Sequence, residues 1–283
     1  MSADTLVTTR QLAERLDDPD WIVFDCRFDL AAPDAGEHEY ESAHIPGARY
    51  AHLERDLSGP TGPQTGRHPL PDPDLLAARL AGWGVEPHSQ IVAYDDRGGA
   101  FAARLWWLAR WLGHRNAAVL DGGLSRWQAE GRPLDQRIPH PEAGRFQARV
   151  DHDLWLRTAD VEALVGGERE GRLVDARDRS RYRGEQEPVD PVAGHIPGAV
   201  NLPFKNNLDS DLMFRPPAEL AARFRAALND EAPARVVHAC GSGVTACHNL
   251  LAMEVAGLHG SRLYAGSFSE WIRDPEHRVE TGE

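Results

Sequence analysis

One pattern occurs twice in this chain, and it limits the fold more than any single motif does. LVTTRQLAERLDDPDWIVFDCR starts at Leu6 and LRTADVEALVGGEREGRLVDAR at Leu156. In each, an aspartate (Asp25, Asp175) follows the leucine by nineteen positions, with an arginine (Arg27, Arg177) two further on. HIPGA stands at His44–Ala48 and again at His195–Ala199, and LAAR at Leu76–Arg79 and Leu220–Arg223. Both halves close on a glycine turn and a tryptophan, DGGLSRW and AGSFSEW. The offsets of these blocks are 150, 151, 144 and 144, and the apolar runs IVAYD and VVHAC lie 145 apart, so the blocks keep their order and register. That is the mark of a duplicated domain. A chain of 283 residues holds two copies of the usual size. We read residues 1–138 as the first domain, 139–152 as a linker and 153–283 as the second. Proline, glycine and charge replace periodic apolar residues around that linker.

Within each copy, short runs rich in valine and isoleucine (WIVFD, QIVAYD, RLVDA, RVVHA) read as buried strands. Between them, LLAARLAGWG, FAARLWWLARWLG and ELAARFRAALN carry apolar residues at helical spacing and end near glycine or asparagine. Strands alternating with helices imply an α/β fold with a mostly parallel sheet. In such sheets ligands sit at the loops after the carboxyl ends of strands.

The copies differ most at one such loop. After IVAY comes Asp95; after VVHA comes Cys240, opening CGSGVTA ahead of a helical stretch. Gly241 and Gly243 let the backbone curl, turning the N–H groups of Gly241 to Thr245, with Ser242 and Val244 between, inward as an anion-binding nest. The N-terminus of the next helix adds partial positive charge. Together these favour thiolate over thiol and mark Cys240 as a nucleophile. Cys26, in VFDCR, reads as packing within a strand, and Cys247 is open between packing and a redox pairing with Cys240. A cysteine phosphatase would need an arginine six residues after its cysteine; Ala246 stands there. His238, Cys240, Cys247 and His248 follow no common zinc spacing. No metal or cofactor is therefore expected.

Composition narrows the partners. A formal charge of -13 disfavours nucleic acid and anionic membranes. The longest apolar stretch, FAARLWWLARWL, is too short for a bilayer span and is broken by Arg104 and Arg110. The N-terminal stretch lacks an apolar signal core. Three cysteines make no disulfide framework, and a reducing cytoplasm is the expected location. An anionic ligand must reach Cys240 against this overall field, which calls for a local positive patch.

The tandem HIPGA turns, the DxR that ends a strand in each half and the CGSGVTA loop together resemble the two-domain rhodanese-type sulfurtransferases, over essentially the whole chain. The resemblance implies two tandem rhodanese-like domains, the first silent, with Asp95 in place of cysteine, and the second catalytic. The CGSGVT loop is similar to that of 3-mercaptopyruvate sulfurtransferases. It implies that Cys240 takes a sulfane sulfur from a small anionic donor, 3-mercaptopyruvate ahead of thiosulfate, and holds it as a persulfide. Cyanide, a thiol or a reduced protein dithiol would then accept it.

Arg181, in DRSRYRG, matches the family arginine that pairs with the donor's anionic group. A second family arginine would fall in the EPxD segment, where this chain has Val189. His68, in GRHPLP, matches a histidine near the catalytic loop, and Glu54 stands about where an acidic partner does. With Ser242 they would form a proton relay. His44, His195, Asp175 and Arg177 recur in the silent half or repeat residues there, and are expected to serve the fold. Two other classes stay open: a persulfide carrier without fast turnover, and a thiol redox sensor using Cys240 and Cys247.

Overall fold

A computed structural model describes residues 3–283. The chain divides into two compact units. One takes in the chain up to Gly59, Pro71–Asp151 and Asp209–Phe214; the other takes in Pro60–Leu70, His152–Leu208 and Arg215–Glu283.

The first unit is a five-stranded sheet: β1 (Leu6–Val7), β2 (Trp21–Asp25), β3 (Arg49–Tyr50), β4 (Gln90–Tyr94) and β5 (Ala117–Leu120). Its order is β1-β5-β4-β2-β3, and every pairing is parallel. Parallel neighbours require crossovers, and helices α1 (Thr9–Ala13) to α5 (Gly123–Ala129) lie among them. In α3 (Pro73–Gly82), Pro73 takes the first turn and the Asp72 carboxylate caps the N–H groups of Asp74 and Leu75. The core joins Val23, Val92, Ala118 and Leu120 from the sheet to Leu12, Leu124 and Trp127 from the helices. The region read as a linker is strapped to this unit, the N–H groups of Gly144, Phe146 and Arg149 donating to the carbonyls of Ala81, Val85 and Leu112.

The second unit repeats the plan with β6 (Trp155–Leu156), β7 (Arg172–Asp175), β8 (Val200–Asn201), β9 (Val236–Ala239) and β10 (Arg262–Tyr264). Its order, β6-β10-β9-β7-β8, is again wholly parallel. Helices α6 (Thr158–Val165), α7 (Arg179–Tyr182), α8 (Pro217–Leu228), α9 (Thr245–Val255) and α10 (Ser267–Trp271) accompany it. Helix α8 stops where Asn229 turns left-handed at φ 53°.

The duplicated residues make duplicated bonds. Arg27 grips Asp25 through its main-chain N–H and its guanidinium, and Arg177 grips Asp175 in the same way, each with a shortest contact of 2.6 Å. His44 stacks on Tyr40 at 4.1 Å and His195 on Tyr182 at 3.7 Å, each bonding through Nδ1 to the carbonyl of the residue it stacks on. These pairs lock the turn before a strand in either unit. Among the described residues, no helix is long and apolar enough to cross a membrane.

Candidate active site

Strand β9 lies between β7 and β10 and is buried along its length, so its carboxyl end delivers Cys240 into the unit's interior, 3% exposed. The loop that follows is fixed from outside by the start of α10. The Cys240 N–H donates to Ser267 Oγ at 3.0 Å, and the carbonyls of Cys240 and Gly241 accept from the N–H groups of Phe268 and Ser269 at 3.0 and 2.8 Å. With those two carbonyls engaged by α10, the loop turns the N–H of Gly243 toward the sulfur, and it donates to Cys240 Sγ at 3.2 Å. Gly243 sits at φ +77°, where a Cβ would run into the carbonyl oxygen of Ala265, so the turn requires glycine. Val244 is buried ahead of α9, and Thr245 opens that helix, whose first N–H groups have no partner within the helix.

The first unit shows what such a loop holds. There the Asp95 carboxylate, fully buried, accepts N–H bonds from Arg97, Gly99, Phe101 and Ala102 at 2.8 to 2.9 Å. Burial pushes the Asp95 carboxyl above its ordinary value, against the pull of those four N–H groups. A carboxylate thus fills the cradle in one copy, and in the other the sulfur of Cys240 stands at the same point of the sequence repeat.

Ser242, 6% exposed, lies with its Oγ 2.7 Å from Nδ1 of His68, itself 1% exposed. His68 belongs to Pro60–Leu70, the stretch that joins the second unit. That stretch is fastened by the Gly66 and Arg67 N–H groups to Glu270 Oε2 and Ser269 Oγ, and by Arg273 Nε to the Thr65 carbonyl. Glu54 is an exposed residue of the first unit whose N–H donates to Nδ1 of His52.

Arg181 is one link in a chain of alternating charge. Asp175 pairs with Arg177, and Arg177 reaches Glu187 at 3.4 Å. Arg181 binds Glu187 through Nε and Nη2, the shortest contact being 2.7 Å, and Asp190 through Nη2 at 3.1 Å. Asp190 in turn pairs with Arg67. The expected positive patch is therefore a charge-balanced network, because three guanidiniums packed this close need carboxylates between them. Burial raises the Asp190 carboxyl above its ordinary value, with neighbouring Glu187 adding to it against Arg67 and Arg181. Glu187 lies below its own, since the bonds from Arg181 and from the Asp190 and Val189 N–H groups outweigh its burial.

The other thiols are set apart by their surroundings. Cys26 lies one residue past β2, its N–H bonded to Tyr94 O. Burial first, then Asp25, Asp95 and Asp56, push its thiol well up, which suits packing and not attack. Cys247 is buried on α9 with Sγ 3.3 Å from the Gly243 carbonyl. His238 contacts Met253 Sδ at 3.0 Å, and His248 contacts Asn207 at 3.1 Å. Among the described residues, no group of three or more His, Cys, Asp or Glu side chains is placed to hold a metal ion.

Sequence reasoning did not single out Arg67, Glu187, Asp190 or Ser267. Two signals were there to read: Arg67 directly precedes His68, and Glu187 and Asp190 frame Val189.

Comparison with known proteins bears on the fold and the family. The family model described as rhodanese-like domain matches residues 8–130 and again 158–274. The chain is 51% identical to a probable 3-mercaptopyruvate sulfurtransferase of Pseudomonas aeruginosa over 286 residues, covering both proteins fully. It is 34% identical to the thiosulfate sulfurtransferase of Rattus norvegicus, over 98% of this chain and 95% of that one. Among solved structures, the 3-mercaptopyruvate sulfotransferase SseA from Escherichia coli matches with a TM-score of 0.81 and 30% identity, over 94% of this chain and all of that one. Two matched halves, two identical sheet orders and full-length relatives lead to one conclusion: the chain belongs to the rhodanese-like domain family, with two copies of the domain in tandem.

Proposed function

We propose that the protein is a sulfurtransferase that moves the sulfur of 3-mercaptopyruvate to a thiophilic acceptor through a persulfide on Cys240. The thiolate attacks the donor sulfur, an S–S bond forms and the donor's C–S bond breaks. The released electron pair leaves on pyruvate enolate, which takes up the proton that the donor thiol gives up. A cyanide ion or a thiolate then attacks the outer sulfur and returns the Cys240 thiolate. This is two-step nucleophilic catalysis. The cradle of N–H groups stabilises the negative sulfur at each stage.

The observation that carries the choice of donor is the 2.7 Å contact between Ser242 Oγ and His68 Nδ1 beside the cysteine loop. Breaking a C–S bond in mercaptopyruvate needs a proton carried from sulfur to carbon; breaking the S–S bond of thiosulfate needs none. A hydroxyl–imidazole pair is suited to the first. Glu54 is proposed as the acidic partner of that relay, and Arg181 as the anchor of the donor's carboxylate. The strong likeness to the Pseudomonas protein supports the same donor, while the rat relative keeps thiosulfate as the second reading. We place the reaction in a reducing cytoplasm, since all three cysteines are free thiols.

The test is kcat/KM for both donors with cyanide as acceptor, in the wild type and in His68→Gln. The reading expects mercaptopyruvate to be the better donor, and the substitution to slow it at least tenfold more than thiosulfate. Thiosulfate preference in the wild type would overturn the donor assignment. Sulfur loading without repeated turnover would favour a carrier.

A further inference from the structure

We infer that Arg67 is a second donor-anchoring cation of this site, supplied by the Pro60–Leu70 stretch and acting with Arg181 on the donor's anionic group. The inference rests on the sulfurtransferase reading above. The two guanidiniums converge on the backbone of Gly241, the residue directly after Cys240. A Cβ built there would lie 2.7 Å from Arg67 Nη2 and 3.7 Å from both Nη1 and Nη2 of Arg181. Gly241 has no left-handed φ, and the atoms nearest to a Cβ built there are these guanidinium nitrogens.

The bonding leaves each guanidinium with capacity to spare. Arg181 engages its carboxylates through Nε and Nη2, and Arg67 engages Asp190 through Nη1, so Arg181 Nη1 and Arg67 Nη2 take part in none of these bonds. Arg67 Nε is buried with no partner among the described residues. A purely structural arginine gains nothing from a buried, unpartnered N–H, which is costly to leave unsatisfied. Asp190 already has Arg181 as a counter-ion, so neutralising it does not require Arg67. Instead Asp190 touches both guanidiniums and holds the pair side by side.

The same arrangement accounts for Val189. The chain has no arginine between Glu187 and Asp190; Val189 is 40% exposed there and its N–H donates to Glu187. Arg67 supplies the second cation from a different part of the sequence. A planar carboxylate next to the cysteine can then accept from two guanidinium edges, a geometry that a lysine ammonium does not reproduce.

The experiment uses the full chain with Arg67→Gln, Arg67→Lys and the double variant Arg67→Gln/Val189→Arg. The readouts are KM and kcat for 3-mercaptopyruvate, and calorimetric binding of 3-mercaptopyruvate in a Cys240→Ser background. Losing one charge-assisted anchor should raise KM and Kd about 10- to 100-fold, with kcat changed less than about threefold. Arg67→Lys should recover only part of that loss, and Val189→Arg should restore much of it. Val189→Arg rescue also separates lost anchoring from lost folding. A KM and Kd in Arg67→Gln within twofold of the parent, while the wild type turns over mercaptopyruvate, would overturn this inference alone. No turnover of mercaptopyruvate by the wild type would overturn the functional reading beneath it.

Discussion

Replacing Gly243 by alanine tests whether the cradle acts through the sulfur. Gly243 holds φ +77°, and its N–H meets Cys240 Sγ at 3.2 Å. Alanine at such a φ costs about 1–2 kcal/mol in backbone strain. Its Cβ would also collide with the Ala265 carbonyl, a backbone atom that cannot swing aside as a side chain does. The turn must open, carrying the N–H away from the sulfur. A hydrogen bond to a charged group contributes about 1.5–3 kcal/mol, which converts to a roughly 10- to 150-fold slower loading of Cys240. Gly131→Ala is the control. Gly131 has φ +66° with nothing within 4 Å of its Cβ position, so it bears the strain without the collision. Single-turnover loading from 3-mercaptopyruvate, followed by intact mass, should be slowed in Gly243→Ala and unchanged in Gly131→Ala. Equal loading rates in the two variants would refute the role given to the cradle.

Asp95→Ala should leave the four N–H groups of the first unit's loop without their acceptor, destabilising the protein by about 3 kcal/mol or more in urea unfolding. The folded fraction should load sulfur at the wild-type rate; slower loading would contradict the silent assignment. His238→Leu bears on acid stability. Burial, helped by Arg223, pushes the His238 imidazole from 6.5 down to about 3. The unfolded chain therefore binds a proton below about pH 6.5 that the native state refuses until about pH 3, so stability falls with pH across that window, by up to about 1.4 kcal/mol per unit. Leucine removes that proton, and Tm against pH between 4 and 6.5 should flatten relative to the wild type. Parallel profiles would show that His238 is not the group responsible.

The sheets were legible because their strands are short continuous apolar runs rich in valine and isoleucine, which suit strands buried on both faces, and because each run occurs twice. The internal comparison also separated Asp95 from Cys240, and the repeated residues Asp25–Arg27 and Asp175–Arg177 make the same bond in both units. Each arginine also reaches a second carboxylate, Arg27 the exposed Glu39 and Arg177 the buried Glu187. What stayed hidden follows from non-local contact. Pro60–Leu70 has no apolar periodicity and reads as a loop of the first copy, yet it is anchored to the second unit by Glu270, Ser269 and Arg273. No local pattern announces such docking. Arg67 was hidden for the same reason, being one of many arginines until its distance to Gly241 is known. The net charge of -13 likewise pointed to a positive patch but could not show that Glu187 and Asp190 are built into it.

The central claim is a sulfur atom carried covalently on Cys240. Intact mass spectrometry after exposure to 3-mercaptopyruvate should show the wild type heavier by one sulfur atom. The addition should disappear on treatment with cyanide, as thiocyanate is released. In Cys240→Ser neither the added mass nor the thiocyanate should appear, while Cys26→Ser and Cys247→Ser should keep both. A Cys240→Ser protein that still gains sulfur or still forms thiocyanate would contradict the account.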